Sequence, residues 1–318
     1  MLRRTQTAYI EADPFFSPRG KVLHGFDQFL QELSRAQIPC VWMTGWTRAQ
    51  LDEPRRRLGQ NHPYIGENGG GVYLPEDYFH LKASNTIRLG RYTCIPVAKP
   101  QPAAAEGLAE LSSDLGISVV PLRSLSQREL SQNTGLPARE AELIRQRDFD
   151  EPFFFAGANQ SDIEKFHDEA KRREMVIKPA GAFWSLSCGA SLARCIRELG
   201  ALYDRALRAH ALRAGVRLLP AGQKEARWCD EWPTAALDKT LTITERAETE
   251  QVPVNVNTKA DEPASADERA SETPTVNHDM EGKRNERLDR NRFYLHVPDV
   301  WGDLVAAIEG STHRSRAI

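Results

Sequence analysis

The sequence lacks the marks of a secreted or membrane-spanning protein. Its five cysteines are odd in number, irregularly spaced and without a Cys-x-x-Cys pair, which argues against a disulfide framework or a zinc site. No apolar run approaches the ~20 residues that a membrane span requires. The first residues, MLRRTQTAYIEADP, have two arginines but few apolar side chains and make a poor signal peptide. The sequence therefore predicts a cytoplasmic protein.

Neither sign of charge is in excess. The formal net charge is −2, so the sequence predicts no broad basic surface for nucleic acid or for a membrane. Apolar residues make up 40% and charged residues 27%, as in ordinary globular proteins. A length of 318 residues allows two domains. The composition is therefore that of a globular protein, with neither nucleic acid nor membrane expected as a partner.

Aromatic residues are absent from residues 233–292. Within this stretch, residues 245–290 hold twelve acidic and seven basic residues and are rich in Pro, Ser, Thr, Asn and Ala. Such a segment buries too little apolar surface to offset its ordering entropy, so we predict a disordered acidic insertion. One hypothesis gives this insertion an interaction role with a protein partner. Order is predicted to resume at 293–298.

The first part of the chain alternates between strand and helix patterns. Buried strands are predicted at 7–12 and 38–43, and apolar side chains recur at helical spacing over 26–33. Thr47 and the glutamine three residues later form the pattern of a capping box that opens a second helix. Three consecutive glycines within 64–73 predict a tight reversal. This order indicates an α/β fold with a parallel sheet.

Residues 85–187 differ from the first part of the chain in the pattern of their predicted helices and short strands. We interpret them as an inserted α/β module. A further helix is predicted at 190–209 and a last one at 300–308, in each case from the spacing of apolar residues. Within the insertion, helix patterns alternate with short strand patterns, at 104–115, 116–120, 152–155 and 161–173.

Polar side chains follow the first three predicted strands. In an open parallel sheet the carboxyl ends of the strands form the ligand site, so segments 11–13, 44–47 and 67–70 should converge. The acid pair Glu11 and Asp13 suits Mg²⁺ or acceptance of a phosphoryl group. A hydroxyl beside a glycine and a helix N-terminus suits an anion. The structural alternative is that the acids are solvated turn residues and that the hydroxyl bonds only backbone.

Several stretches together resemble the mannosyl-3-phosphoglycerate phosphatases, a branch of the haloacid-dehalogenase superfamily with a type IIB cap. The resemblance covers most of 5–232 and 293–309. The best matches are IPCVWMTGWTRAQLDEPRRRLGQNHPYIGENGGGVYLPEDYF (38–79), AELIRQRDFDEPFFFAG (141–157), FWSLSCGASLARCIRELGALY (183–203) and VPDVWGDLVAAIE (297–309). The resemblance implies a Rossmann-like core of 1–84, 188–232 and 293–318 with a cap of 85–187.

The resemblance also implies hydrolysis of a phosphate monoester on a phosphorylated sugar–glycerate. Glu11 stands at the position of the nucleophile and Asp13 at that of the general acid/base, and both would hold Mg²⁺. Thr44 stands at the phosphate-binding hydroxyl, with Gly45 beside it. Further substrate-binding positions are Glu67, Asn68 and Arg147.

The chain departs from the family pattern at most positions that carry chemistry. Glu11 replaces an aspartate and is one methylene longer, and a misplacement of about 1 Å can cost about 10²-fold in rate. At three further positions the chain has Pro14 for glycine, Phe15 for threonine and Leu192 for lysine. Gln223 and Arg227 stand where the family has a late pair of aspartates. Since phosphoryl transfer needs metal and positive charge, we expect weak hydrolysis or none.

Alternative readings stay open for individual residues and for the whole protein. Arg145, Arg147 and Lys178 could bind the anionic groups of the substrate or form surface ion pairs. Asn68 could orient sugar hydroxyls or only shape a turn, and Trp46 could stack on a sugar or pack in the interior. The competing functions are a divergent phosphatase and a non-catalytic binding or regulatory pseudophosphatase.

Overall fold

The computed structural model describes residues 5–17, 21–219, 232–244, 292–295 and 299–310. The predicted acidic insertion at 245–290 and most of the 218–231 segment lie outside the described residues. Two β-sheets organise the chain, a nine-stranded sheet and a four-stranded sheet. The α/β class predicted from the sequence is confirmed.

The strands in the middle of the large sheet are almost fully buried, whereas the edge strands that begin at residues 87 and 119 are exposed or half-buried. In chain order the strands are β1 (Gln6–Glu11), β2 (Cys40–Met43), β3 (Tyr64–Gly66), β4 (Gly71–Leu74), β5 (Ile87–Leu89), β6 (Tyr92–Pro96), β7 (Val119–Pro121), β8 (Asp150–Phe155), β9 (Met175–Ala180), β10 (Phe183–Cys188), β11 (Leu212–Leu219), β12 (Lys239–Thr244) and β13 (Arg292–Tyr294).

The helices lie between these strands. They are α1 (Phe26–Arg35), α2 (Arg48–Arg57), α3 (Gln101–Leu115), α4 (Gln127–Thr134), α5 (Ala138–Ile144), α6 (Gln160–Arg172), α7 (Leu192–Leu207) and α8 (Val300–Glu309). The predicted capping box at the start of α2 is confirmed, since Thr47 accepts the Gln50 N–H at 3.0 Å and the Gln50 side chain accepts the Thr47 N–H at 3.0 Å. Among the described helices, none combines the length and apolar character needed to cross a membrane.

The large sheet has the order β13-β12-β11-β1-β2-β3-β4-β6-β5. Strands β13 to β3 run parallel, and the last three pairings are antiparallel. The predicted parallel sheet is therefore confirmed, as is the glycine reversal between β3 and β4. Because β1 and β2 are parallel neighbours, the residues that follow Glu11 and Met43 meet at one sheet edge.

Alternation along β1 explains how this sheet is held between helices. Ala8 and Ile10 face one apolar cluster, which contains the inner faces of α1 and α8. Tyr9 faces the opposite cluster, which contains the inner face of α7. A central strand buried on both faces reads as a continuous apolar run, and this is why it was visible in the sequence.

The small sheet has the order β7-β8-β10-β9 and is antiparallel throughout. Helices α3 and α6 share an apolar cluster with β8, β9 and β10. We call this unit, from α3 to β10, the cap. Residues 87–96, which the sequence analysis assigned to the cap, instead pair with the large sheet because β6 bonds β4. The other predicted domain limits stay predictions.

Candidate active site

A cavity of about 750 Å³ lies where the carboxyl edge of the large sheet faces the cap. The core contributes residues from the loops after β1, β2 and β3, and the cap contributes the β9–β10 turn together with parts of α4 and α5. Of the predicted site residues, all but Glu67 line this cavity: Glu11, Asp13, Thr44, Gly45, Asn68 and Arg147. Each of the three segments predicted to converge contributes at least one residue to the cavity lining, and Glu67 is the one predicted site residue that does not line it.

Asp13 connects the loop after β1 to the loop after β2. One carboxylate oxygen accepts the Thr44 hydroxyl in a short hydrogen bond, and the other accepts the Gly45 N–H at 2.8 Å. The Thr44 oxygen in turn accepts the Trp46 N–H at 3.0 Å. Burial raises the pKa of Asp13, while these two hydrogen bonds and the charge of Arg147 oppose the rise. Both oxygens of Asp13 are thus already occupied by donors from the second loop.

Glu11 is the second carboxylate of the cavity. It is the last residue of β1 and is half-buried. Burial, followed by repulsion from Asp13, raises the pKa of Glu11 to about 7, and the positive charges of Arg217 and Lys178 oppose the rise. A carboxyl that titrates near neutral pH is suited to proton transfer. It is less well suited to being a fully ionised nucleophile.

Of the residues that follow Asp13, Phe15 turns away from the cavity into the protein interior, whereas Pro14, Phe16 and Ser17 line the cavity. Asp13–Phe15 form a single 3-10 turn with the proline in its first positions. Phe15, at the family's threonine position, is fully buried. Its ring stacks on Phe26 with centroids 4.3 Å apart and lies 6.3 Å from Trp301. Phe15 is therefore a core residue and has no place in anion binding.

Two glycines of the site are required by close approaches. A Cβ at Gly45 would lie 3.0 Å from the Asn68 side-chain oxygen, which is tighter than most real contacts. Gly69 has a φ of +94°, and a Cβ there would lie 2.5 Å from the Leu192 nitrogen at the start of α7. The Asn68 N–H donates to the Thr44 carbonyl at 2.9 Å. Asn68 therefore shapes the turn and also lines the cavity.

Arg147 ties the cap to the core. Its side chain is only 3% exposed, and one guanidinium nitrogen donates to the Gly45 carbonyl at 2.8 Å. The same nitrogen lies 3.3 Å from the Asp150 carboxylate. The Nε donates to the Ile144 carbonyl at 2.7 Å. Both earlier readings find support, because Arg147 forms an ion pair and also lines the cavity.

Glu67 has a structural position. It is fully buried and does not line the cavity. Its carboxylate accepts the consecutive backbone N–H groups of Asp148, Phe149 and Asp150 at 2.7–3.2 Å. Burial, followed by the nearby Asp150 carboxylate, raises the pKa of Glu67. The predicted contact between Glu67 and substrate is not supported, since the side chain joins the large sheet to the segment entering β8.

Two residues that line the cavity, Lys178 and Trp232, were absent from the predicted set of site residues. Lys178 of β9 lines the cavity and is 8% exposed, although it was only one of three cap cations considered. Arg145 does not line this cavity and instead contacts Leu125 and Glu142. Trp232, after β11, also lines it. No local pattern identifies these residues, because only the docking of the cap and the end of β11 bring them to the sheet edge.

The predicted Mg²⁺ site is not complete in the described part of the chain. No three His, Cys, Asp or Glu side chains among these residues lie close enough together to hold a metal ion. Glu11 and Asp13 supply two carboxylates, but both Asp13 oxygens accept hydrogen bonds from the protein. Mg²⁺ prefers several oxygen ligands in near-octahedral geometry. The described donor set does not fit this ion, so we assign no chemical step to a metal.

Curated relatives cover part of the chain. A glucosyl-3-phosphoglycerate/mannosyl-3-phosphoglycerate phosphatase of Methanococcoides burtonii is 26% identical over 177 residues, which is 55% of this chain and 64% of that protein. A mannosyl-3-phosphoglycerate phosphatase of Pyrococcus furiosus is 25% identical over 125 residues, 39% of this chain and 50% of that protein. The chain thus spans less than two thirds of the length of these relatives. No protein-family model matches the sequence.

Solved structures align with three quarters of the chain at low identity. A haloacid dehalogenase-like hydrolase from Bacteroides thetaiotaomicron is 11% identical, with 75% of this chain and 94% of that chain covered and a TM-score of 0.47. A haloacid dehalogenase-like hydrolase from B. subtilis is 14% identical, with 75% and 95% covered and a TM-score of 0.46. Similarity at this level says nothing about activity.

The parallel core sheet with its inserted α/β cap is the Rossmann-like core and cap that the sequence predicts, and the acid pair lies at its carboxyl edge. Over part of its length the chain is similar to curated mannosyl-3-phosphoglycerate phosphatases.

Proposed function

We propose that this protein binds a phosphorylated sugar–glycerate in the cavity between core and cap, and that its hydrolysis of the phosphate ester is greatly slowed. One observation carries the proposal. The cavity brings the acid pair Glu11 and Asp13 together with the cations Arg147 and Lys178, while Leu192 lines it at the family's lysine position. The cavity thus has charges that suit a phosphorylated ligand and lacks part of the machinery that cleaves one.

The cavity lining suits the two ends of such a ligand. Arginine and lysine are the side chains that bind phosphate and carboxylate groups in proteins. Aromatic side chains on the core side, those of Phe16, Trp46 and Trp232, offer apolar faces for a sugar ring. A volume of about 750 Å³ lies within the ordinary range of ligand pockets.

Hydrolysis would require two steps from the acid pair. The Glu11 carboxylate would attack phosphorus, forming an acyl phosphate as the ester P–O bond breaks, and Asp13 would give a proton to the leaving oxygen. Water, giving a proton to Asp13, would then cleave the acyl phosphate, which releases inorganic phosphate and regenerates Glu11. Burial raises the pKa of Asp13, as suits a proton donor, but both of its oxygens accept hydrogen bonds that oppose this rise. Glu11 has a pKa of about 7, so it is only partly ionised at neutral pH.

A binding protein without turnover is the second candidate function. The observation that favours it is the direction in which Phe15 points, since a ring stacked on Phe26 leaves no hydroxyl at that position of the loop. This candidate predicts that the ligand raises the melting temperature while no phosphate is released.

One experiment separates the two candidates. We would measure phosphate release from mannosyl-3-phosphoglycerate and from glucosyl-3-phosphoglycerate, with Mg²⁺ and with a chelator. The proteins compared are the native chain, Glu11→Gln and Asp13→Asn, with Glu106→Gln and Asp168→Asn as matched controls at exposed positions. Melting temperatures are recorded with each compound.

The slowed phosphatase is supported by weak release that Glu11→Gln abolishes and Glu106→Gln leaves unchanged, and the chelator shows whether this release depends on a metal ion. Release that is equal in all variants comes from a contaminant and contradicts the enzyme. Stabilisation by the sugar phosphates without release supports the binding protein. If neither compound is hydrolysed or stabilises the protein, both candidates are wrong.

A further inference from the structure

Lys178 occupies an unusual place, because it belongs to the cap but contacts the core. It lies in the middle of β9, paired across the strands with Ser185. Its neighbour Ile177 is buried in the apolar cluster of the cap. The Lys178 ammonium group lies 3.4 Å from the Asn68 carbonyl, in the glycine turn of the core. The side chain therefore crosses from one sheet to the other and is only 8% exposed.

The core has an apolar side chain where the family resemblance places a cation. Leu192 is the first residue of α7, is half-buried and lines the cavity. The N-terminus of α7 packs closely against the glycine turn, as shown by the 2.5 Å approach at Gly69. Leu192 and Lys178 therefore line the same cavity beside the glycine turn, Leu192 from the core and Lys178 from the cap.

The charge balance of the cavity makes a cation necessary for anion binding. A phosphate group brings up to two negative charges into a space that already holds Glu11 and Asp13. At short range and low dielectric, such repulsion amounts to several kcal/mol unless a positive group compensates for it. Arg147 directs one nitrogen to the Gly45 carbonyl and the Asp150 carboxylate, so its charge is already shared. The positive charge of Lys178 acts on Glu11, which lines the same cavity, and opposes the rise in the pKa of that carboxyl.

We propose that Lys178, carried by the cap, is the cation that binds the phosphate group, and that it replaces the lysine missing at Leu192 of the core. This inference rests on the proposed function, because it concerns the ligand of the same site. It follows that the docked cap supplies part of the anion site and does more than cover it.

The test compares chains that have a lysine at position 178, at position 192 or at neither position. Binding of mannosyl-3-phosphoglycerate and of inorganic phosphate to the full chain is measured by calorimetry in a chelator-containing buffer. We expect Lys178→Met to weaken binding about 10- to 100-fold, the usual cost of losing a charged hydrogen-bonding partner. Lys178→Arg should stay within about threefold of the native chain. Lys178→Met combined with Leu192→Lys should recover most of the lost affinity, since a lysine then enters from the core.

Controls keep the test decisive. Lys171→Met removes an exposed lysine at the end of α6 and should leave the affinity unchanged. If Lys178→Met does not fold, Lys178→Gln takes its place, because it removes the charge and keeps a donor for the Asn68 carbonyl. Equal binding by the native chain and the uncharged variants overturns the inference and leaves the proposed function standing. Absence of binding to the native chain overturns both.

Discussion

The loops after β1 and β2 lie side by side at one sheet edge, yet they use their side chains in opposite ways. The loop after β2 directs the Gly45 N–H and the Thr44 hydroxyl toward the cavity, where both donate to Asp13. The loop after β1 places Asp13 in the cavity but turns Phe15 into the core. One loop is arranged around a ligand site, and the other is shared between the site and the hydrophobic core.

The difference shows how one loop can take up a buried aromatic residue while the geometry of the neighbouring loop is kept. The aromatic substitution is accommodated because Phe15 stacks on Phe26, away from the donors of the second loop. The second loop keeps its geometry because its partners are backbone groups and Asp13, and these do not depend on Phe15. The geometry of the second loop is therefore independent of the aromatic residue in the first.

The largest expected difference between the two loops is the loss of stability when an aromatic side chain of each is removed. Phe15→Ala should lower the free energy of unfolding by about 3–5 kcal/mol, because it removes a fully buried ring from a close-packed core. Trp46→Ala, in the second loop, should cost less than half as much, since that side chain is half-buried and lines the cavity. Urea unfolding measures both. Equal losses would mean that the two loops do not differ in this way.

The pH dependence of the free energy of unfolding tests Glu11, the acidic residue directly before the first loop. The folded-state pKa of Glu11 is about 7, above its ordinary value of 4.5, so ionisation opposes folding. Stability from Glu11 is therefore complete below about pH 4.5 and is lost as the pH rises through 7. Above pH 7, Glu11→Gln should be more stable than the native chain by about 2–3 kcal/mol, after allowance for partial exposure.

Unfolding is followed between pH 4.5 and 8.5 in the presence of a chelator. Glu106→Gln, at an exposed position of α3, is the matched control and should follow the native curve. Parallel curves for Glu11→Gln and the native chain would show that Glu11 does not have the raised pKa.

The hydrogen bond that joins the two loops is tested by a double-mutant cycle. Asp13→Ala and Thr44→Val should show a coupling energy of about 1–3 kcal/mol in urea unfolding, since each removes the partner of the other. Thr134→Val is the control for the second position, because its hydroxyl donates to the Leu130 carbonyl within α4. A coupling between Asp13 and Thr44 no larger than with Thr134 would contradict the connection of the loops.

Restoring the glycine of the first loop should have the smallest effect. Pro14→Gly increases the freedom of the unfolded chain and should lower stability by about 0.5–1 kcal/mol. It should not restore rapid phosphate release, because Phe15 and Leu192 are unchanged. The readouts are urea unfolding and phosphate release from mannosyl-3-phosphoglycerate. A large gain in release would show that the proline alone blocks catalysis.

Much of the core was predictable because its signals are local. The helix expected over 26–33 is found as Phe26–Arg35, and the capping box at Thr47 has both of its hydrogen bonds. Strands β9 to β12 were not predicted. Strand β11 pairs with β1 from the start of the chain and β10 pairs with β8, so no short window of sequence contains the reason for these pairings. The β9–β10 hairpin is local and was missed.

The candidate site was predicted in part, for a similar reason. The strand ends placed Glu11, Asp13 and Thr44 together, because the parallel order fixes which edge they share. The structural position of Glu67 was missed, since the amides that it accepts belong to residues 81 to 83 positions later in the chain. An acid beside a glycine turn looks the same in the sequence whether it faces a ligand or a buried loop.

The sequence by itself determined the class of fold, the sheet edge that carries the site and the chemical groups missing from that edge. These follow from hydrophobic periodicity and from residue identity, which are properties of short stretches. Only the tertiary structure decided that Phe15 enters the core, that Glu67 serves the cap and that Lys178 reaches the cavity. Those outcomes depend on which surfaces meet when the two sheets dock, and burial and charge pairing across such a contact have no local signature.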